Sequence, residues 1–496
     1  MDAASSRLKR ACGIHMKWEQ VFDPVTMKID RKYANVWLED LPDLSVECSV
    51  TEVSELLGEK IKVGSEEFST RDSSLVDVAS LLRPKRLAKN FPLNSSGSRI
   101  SRVFLRQDII NLWNALVDEE NTEDLKVIYA ASGLGKSIYL YLIAVFARHF
   151  GIPVQYIGNT GDLLREKVDD NLVACNYVEN TGAMLRKKFD YKLVARKYAA
   201  MLLFMNSGTL DSLKLFYPLD PDYEHLRGLP MKHVIFYAHE RGDLVLCCEL
   251  RRNFMLMKPR NLLIIDEHND LWQKFGSDTK TWLPFFKFYA EPVGHATWYC
   301  KFVIATSQLH EFNLPSGYEL SIQYVEPLSL EEFAIWENLS DYPRNLKDKK
   351  NEVIDLTGLV PRMIGTLVNL AKTSSDLSFE DLFLKFRHTI FLAMQQKHDE
   401  YVDALDKRKK TKFMQMLHKL FVDRETPKIR VCDAAYQDRG LLIALNDCSL
   451  QFYNSIARDI LYSAFSEFEF TENRINELSR KYKKSRKSCD SSGEYS

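Results

Sequence analysis

No stretch of the 496-residue sequence is long and apolar enough to span a bilayer, and the first twenty residues carry Arg7, Lys9, Arg10 and Lys17 rather than the apolar run of a secretory leader. These absences predict a chain of the cytoplasm or nucleus with no membrane partner. An excess of one charge is also lacking: 67 Lys and Arg face 68 Asp and Glu, for a net charge of −1. No global field therefore draws nucleic acid, and any such contact needs a local patch. Metal-ligand spacing is missing among the nine cysteines. Cys12, Cys48, Cys175, Cys432 and Cys489 are scattered, and Cys247 and Cys248 sit together in what reads as an apolar, strand-like run, so reduced thiols are expected. No internal repeat is found.

What is present is material for burial: 45% apolar residues, with 22 tyrosines and 28 phenylalanines. The length suggests about three folding units. Residues 1–95 read as a small N-terminal module ending in the polar linker Asn94–Ser98, and 96–330 as an α/β core. Residues 331–375 read as a helical lid, 376–470 as a further mostly helical region with a basic loop at Lys407–Lys410, and 471–496 as a disordered basic tail.

Within the core, apolar spacing over Val103–Val117 predicts an amphipathic helix. There follow a strand at Leu125–Ala130, a glycine loop, a helix at Lys136–Phe150 and a strand at Val154–Ile157. Two later apolar runs, Leu262–Ile265 and Phe302–Ala305, read as buried parallel strands, and Tyr318–Val325 as the last strand. Helices are expected at Leu330–Asn338 and Gly358–Lys372.

The loop Ala130-Ala131-Ser132-Gly133-Leu134-Gly135-Lys136-Ser137 has the spacing of a phosphate-binding Walker A loop, with alanine in place of the first glycine. Gly133 and Gly135 let the main chain turn and approach phosphate oxygens, and amides at a helix start surround a phosphate. Lys136 is expected on the β- and γ-phosphates and Ser137 on Mg²⁺. An alanine at 130 is tolerated if its φ stays negative.

Asn261–Glu267 has a Walker B form: a buried strand ending in two carboxylates. Asp266 is expected to hold Mg²⁺ through a water, and Glu267 to orient and deprotonate the attacking water. Thr306 or Ser307, at the end of the next strand, is placed to contact the γ-phosphate or that water. Arg362, at the start of a helix in the lid, is placed to reach the γ-phosphate. Together these predict an ASCE-type P-loop NTPase sheet using ATP and Mg²⁺.

The P-loop, the acidic strand end, the polar sensor strand, Val325–Phe333 and Gly358–Arg362 together resemble the AAA+ and STAND ATPases over about residues 100–375. With Tyr436–Leu442, the order is similar to the Crinkler effectors and the retrotransposon hot spot proteins. That resemblance implies a P-loop ATPase, often joined to a nuclease-like C-terminal domain, with many members acting in the nucleus of a host cell. No Asp…Glu-x-Lys metal spacing is found after residue 375.

The clusters Arg83–Arg86, Lys407–Lys410 and Lys481–Lys487 are candidate nuclear-import signals or contacts to DNA or other nucleic acid. Three readings stay open: a nucleotide-driven switch on nucleic acid or protein partners, a module that binds nucleotide without turnover, and an ATPase-regulated nuclease.

Overall fold

Five short strands, the first at Leu125–Tyr129 and the last at Leu320–Tyr324, form one parallel sheet. The computed structural model describes, with short gaps, residues 14–44, 60–63, 66–69, 78–82, 99–118, 125–164, 191–215, 221–256, 261–266, 300–306, 320–403, 407–423, 441–445 and 449–467. The chain divides into two units, Met1–Tyr129 with Gly135–Val325, and Ala130–Leu134 with Glu326–Ser496.

In the first unit, β1 (His15–Lys17), β2 (Val36–Pro42), a separate hairpin of β3 (Lys60–Val63) and β4 (Glu66–Ser69), and the short α1 (Ala79–Leu82) precede β5 (Arg99–Leu105) and α2 (Gln107–Val117). β1 lies parallel to β2, and β2 antiparallel to β5. The expected helix over Val103–Val117 is therefore shorter than its apolar spacing suggested. Val103, Phe104 and Leu105 belong to the strand and pair with Leu38, Trp37 and Val36. Their burial between strands overrides the helical periodicity that begins only at Gln107.

The main sheet contains β6 (Leu125–Tyr129), β7 (Val154–Ile157), β8 (Asn261–Ile265), β9 (Cys300–Thr306) and β10 (Leu320–Tyr324), in the order β10-β6-β9-β8-β7, with every pairing parallel. The α/β class read from the sequence is the class the structure has. All residues of β6, β7, β8 and β9 are buried, including the polar Lys126, Gln155 and Lys301, which is why Leu262–Ile265 and Phe302–Ala305 read as apolar runs rather than alternating ones. After β6 comes α3 (Lys136–His149), whose residues Tyr139 to Ala147 are buried without interruption and which packs on β7, β8 and β9. After β7 come α4 (Thr160–Leu164), α5 (Tyr191–Met205), α6 (Met231–Arg241) and α7 (Leu244–Leu256). Cys247 and Cys248 lie in α7, not in a strand. Leu246, Cys247, Leu250 and Phe254 are buried at helical spacing, so the local apolar run is one face of a helix.

The N-terminal strands are held to α2 and α3 by aromatic packing. Trp18 stacks on Phe146 at 6.2 Å between centroids, and Phe22 and Trp113 meet the same ring edge-on at 4.9 and 5.4 Å. Polar anchors accompany the rings. Trp113 Nε1 donates to the Met27 carbonyl at 2.8 Å, and Asn114 exchanges two 2.8 Å bonds with the backbone of Ile29. The Tyr141 hydroxyl on α3 donates to the Pro42 carbonyl and accepts from the Leu44 N–H. At the other end of α2, the Lys301 ammonium on β9 donates to the carbonyls of Ala115 and Asp118, supplying partners for a helix C-terminus.

The second unit is mostly helical: α8 (Leu330–Glu337), α9 (Arg344–Lys347), α10 (Lys350–Thr357), α11 (Pro361–Thr373), α12 (Phe379–Asp403) and α13 (Lys407–His418), then a hairpin of β11 (Leu442–Ala444) and β12 (Leu450–Phe452), and a helical stretch at 455–467. α8 opens with a reciprocal capping box between Ser329 and Glu332. Gly358, at φ +60, ends α10, and Pro361 is the first residue of α11. Lys407–Lys410 is not a loop but the start of α13, because Phe413, Met414 and Leu417 bury the next turns of the same helix. Among the described residues no helix is long and apolar enough to cross a membrane.

Trp113 is fully buried at the centre of the aromatic anchor. Trp113→Ala should cost about 3–5 kcal/mol in urea unfolding, by cavity formation. Trp113→Phe, which keeps a ring but loses the bond to Met27, should cost only about 1 kcal/mol.

Candidate functional site

A parallel sheet brings the C-terminal ends of its strands to one edge, and loops from that edge form sites. β6 leaves the edge at Tyr129, β9 at Thr306 and β8 at Ile265, and Tyr129 and Thr306 are opposite each other in register. Adjacent strands lie about 4.8 Å apart, so β6 and β8, with β9 between them, run roughly 10 Å apart. Asp266 thus stands two strand positions from the end of β6, with Thr306 on the strand between.

Asp266 follows β8 directly and is 2% exposed, and its N–H donates to the Ile157 carbonyl at 2.8 Å. That bond ties it to the end of β7 and sets where the acidic residue leaves the sheet. The Tyr156 hydroxyl on β7 is pushed well above its ordinary range, first by burial and then by the Asp266 charge and by Tyr141. It is held protonated beside the carboxylate. Thr306 is 1% exposed. Glu267 and Ser307, the other two residues expected at these strand ends, lie outside the described residues.

The loop after β6 turns through two glycines in the left-handed region, Gly133 at φ +98 and Gly135 at φ +107. Their surroundings differ. Among the described residues a Cβ on Gly135 would meet nothing nearer than a Tyr139 ring carbon, at an ordinary contact distance of 3.9 Å, so this glycine is required by conformation and not by crowding. A Cβ on Gly133 would lie 2.7 Å from the Tyr453 hydroxyl and 3.1 Å from Arg362 Cβ, so here a close packing contact also demands glycine. Ala130 is not among the described residues with positive φ, so its Cβ carries no left-handed strain in place of the first Walker glycine. Leu134 is buried at 1% exposure and fastens the middle of the loop.

Gly135 is the N-cap of α3, and its carbonyl accepts from the N–H groups of Ile138 and Tyr139. The helical ladder therefore begins at Ile138, and the half-buried Lys136 and Ser137 occupy the first turn at the positive end of the helix dipole. An anion is favoured there, and a lysine beside it adds a full positive charge.

In the second unit, which includes residues 130–134, Arg362 is the second residue of α11. Its guanidinium Nη1 donates to Ser132 Oγ at 2.9 Å, and its N–H to the Gly133 carbonyl at 3.3 Å. The arginine expected at a γ-phosphate thus contacts the loop that would hold the phosphates. Sequence reasoning missed Tyr453, whose hydroxyl donates to the Ser132 carbonyl at 2.7 Å across 321 residues of sequence. A lone tyrosine after a short strand carries no local signal for such a contact.

The residues present fit a nucleotide triphosphate with Mg²⁺ on two observations: an uncrowded left-handed glycine at a helix start among the described residues, and a hydroxyl and a carboxylate, Ser137 and Asp266, of the hard-oxygen kind Mg²⁺ takes. Among the described residues no group of three or more His, Cys, Asp or Glu side chains is gathered as a metal site. The Mg²⁺ set expected here is smaller, because phosphate oxygens and waters complete it. The clusters Arg83–Arg86 and Lys481–Lys487, and Tyr436–Gly440, lie outside the described residues. No protein-family model matches the chain, and a search of curated proteins finds no match.

The two glycines should separate in a stability measurement. Gly135→Ala should lower the free energy of unfolding by about 1–2 kcal/mol, the cost of a left-handed backbone for an uncrowded L-residue. Gly133→Ala, which adds a clash with Tyr453 to the same strain, should cost more, read by denaturant titration of both variants.

Proposed function

We propose that this chain is a Mg²⁺-dependent P-loop NTPase that binds and hydrolyses ATP. The observation that carries the reading is the left-handed Gly133–Gly135 turn, which joins the buried parallel strand β6 to the start of α3, with buried Asp266 at the end of β8, two strand positions from β6 on the same sheet edge. The interposed β9 agrees with the ASCE-type sheet expected from the sequence.

In this reading the loop amides and the first turn of α3 bind the β-phosphate, and the Lys136 ammonium spans the β- and γ-phosphate oxygens as a point charge. Ser137 and Asp266 hold the metal. Mg²⁺, when bound, neutralises charge that develops on the phosphate oxygens. Thr306 orients the attacking water or the γ-phosphate from the end of β9, and Glu267 takes the water's proton. Arg362 adds positive charge from the loop side. Burial of Asp266 and Thr306 limits competing water at this edge.

The switch function, with nucleic acid or protein as partner in a nucleus, rests on the Crinkler-like order of motifs and on the basic start of α13. Hydrolysis would alter how the helical second unit engages its partner.

Phosphate release from ATP and from GTP, with and without DNA, tests the activity. Wild type should turn over with Mg²⁺, and Lys136→Ala and Glu267→Gln should each lower the rate by on the order of 100-fold or more. Wild type that binds ATP but turns it over no faster than Glu267→Gln would instead identify a binding module.

A further inference from the structure

Two carbonyls of the glycine loop are held from one side. The Ser132 carbonyl accepts from the Tyr453 hydroxyl at 2.7 Å, and the Gly133 carbonyl accepts from the Arg362 N–H at 3.3 Å. A trans peptide is planar, with its C=O and N–H pointing in opposite directions. The N–H of Gly133 therefore faces away from Tyr453, and the N–H of Leu134 faces away from the start of α11. Two successive amides are turned to the opposite side of the loop, the arrangement that makes an anion-binding nest.

Tyr453 is itself rigidly placed. It is 2% exposed, and its N–H donates to the Leu441 carbonyl at 3.0 Å, at the end of the β11–β12 hairpin. The next residue, Asn454, accepts from the Ala457 N–H at 2.8 Å and caps the helical stretch that follows. Gly358 packs directly against the Tyr453 carbonyl, where any Cβ would collide. The hydroxyl also occupies the space a side chain at 133 would need.

We propose that Tyr453 is a positioning residue for the phosphate loop: its hydroxyl fixes the 132–133 peptide plane so that the Gly133 and Leu134 amides point to bound phosphate. The proposal rests on the nucleotide reading above and assigns the C-terminal region a part in binding. Because the amides concerned face the phosphates common to both nucleotides, loss of the hydroxyl should weaken ADP and ATP alike.

The test is titration of the full chain with fluorescent ATP and ADP in Mg²⁺, for wild type, Tyr453→Phe and Lys136→Ala, alongside thermal unfolding without nucleotide. Tyr453→Phe should weaken both nucleotides about 5- to 10-fold, the size of one lost hydrogen bond, with the melting temperature little changed. Affinity equal to wild type, a loss confined to ATP, or a lower melting temperature with unchanged affinity overturns the positioning role and leaves the nucleotide site standing if Lys136→Ala abolishes binding. Wild type that binds neither nucleotide overturns both. If Tyr453→Phe does not fold, difluorotyrosine at 453 serves instead. Its acidified hydroxyl ceases to donate as pH rises through neutrality, so affinity should fall with pH in that variant and not in wild type; parallel pH profiles overturn the proposal.

Discussion

The edge of the main sheet depends on one backbone constraint: a strand must end, reverse through two left-handed residues and become a helix within a few positions. Glycine alone takes those angles without penalty, and the reversal is what leaves amide hydrogens facing outward at a helix start. Buried β6 fixes one end of the turn, and α3, buried from Tyr139 onward, fixes the other. Gly135 answers to the dihedral requirement and Gly133 to packing as well. The two positions look alike in sequence but obey different physics.

The sheet supplies the remaining geometry through register. Parallel pairing of β6, β9 and β8 carries Tyr129, Thr306 and Asp266 to a common edge although Asp266 and Thr306 lie far along the chain from Tyr129. The Asp266 N–H bond to Ile157 and the protonated Tyr156 beside it set the local polarity on the β7 side. Support for this edge comes from below, where Lys301 of β9 closes the end of α2, and from α3, which carries the N-terminal strands through its Tyr141 hydroxyl and the Phe146 ring.

Short-range pattern was informative where burial is complete. The three interior strands β6, β9 and β8 were legible from their apolar segments, Leu262–Ile265 and Phe302–Ala305 most plainly, and α3 as a long apolar stretch opened by Gly135. It misled where burial is one-sided and partners are distant. Val103–Leu105 carries a helical spacing yet pairs with β2, Cys247–Cys248 looks extended yet lies on a helix face, and Lys407–Lys410 looks like a loop yet starts α13 because of residues a turn later. In each case the deciding interaction lies outside the window a local pattern can see.

Read alone, the sequence determined the α/β class, the strand–glycine loop–helix unit and the acidic strand end, because these follow from the period of burial and from the steric needs of glycine. Tertiary structure decided the strand order β10-β6-β9-β8-β7, the docking of residues 14–44 on α2 and α3, and the grip of Arg362 and Tyr453 on the loop at Ser132. Those depend on pairings between residues up to 321 positions apart, and no local propensity encodes which distant hydroxyl meets a given carbonyl.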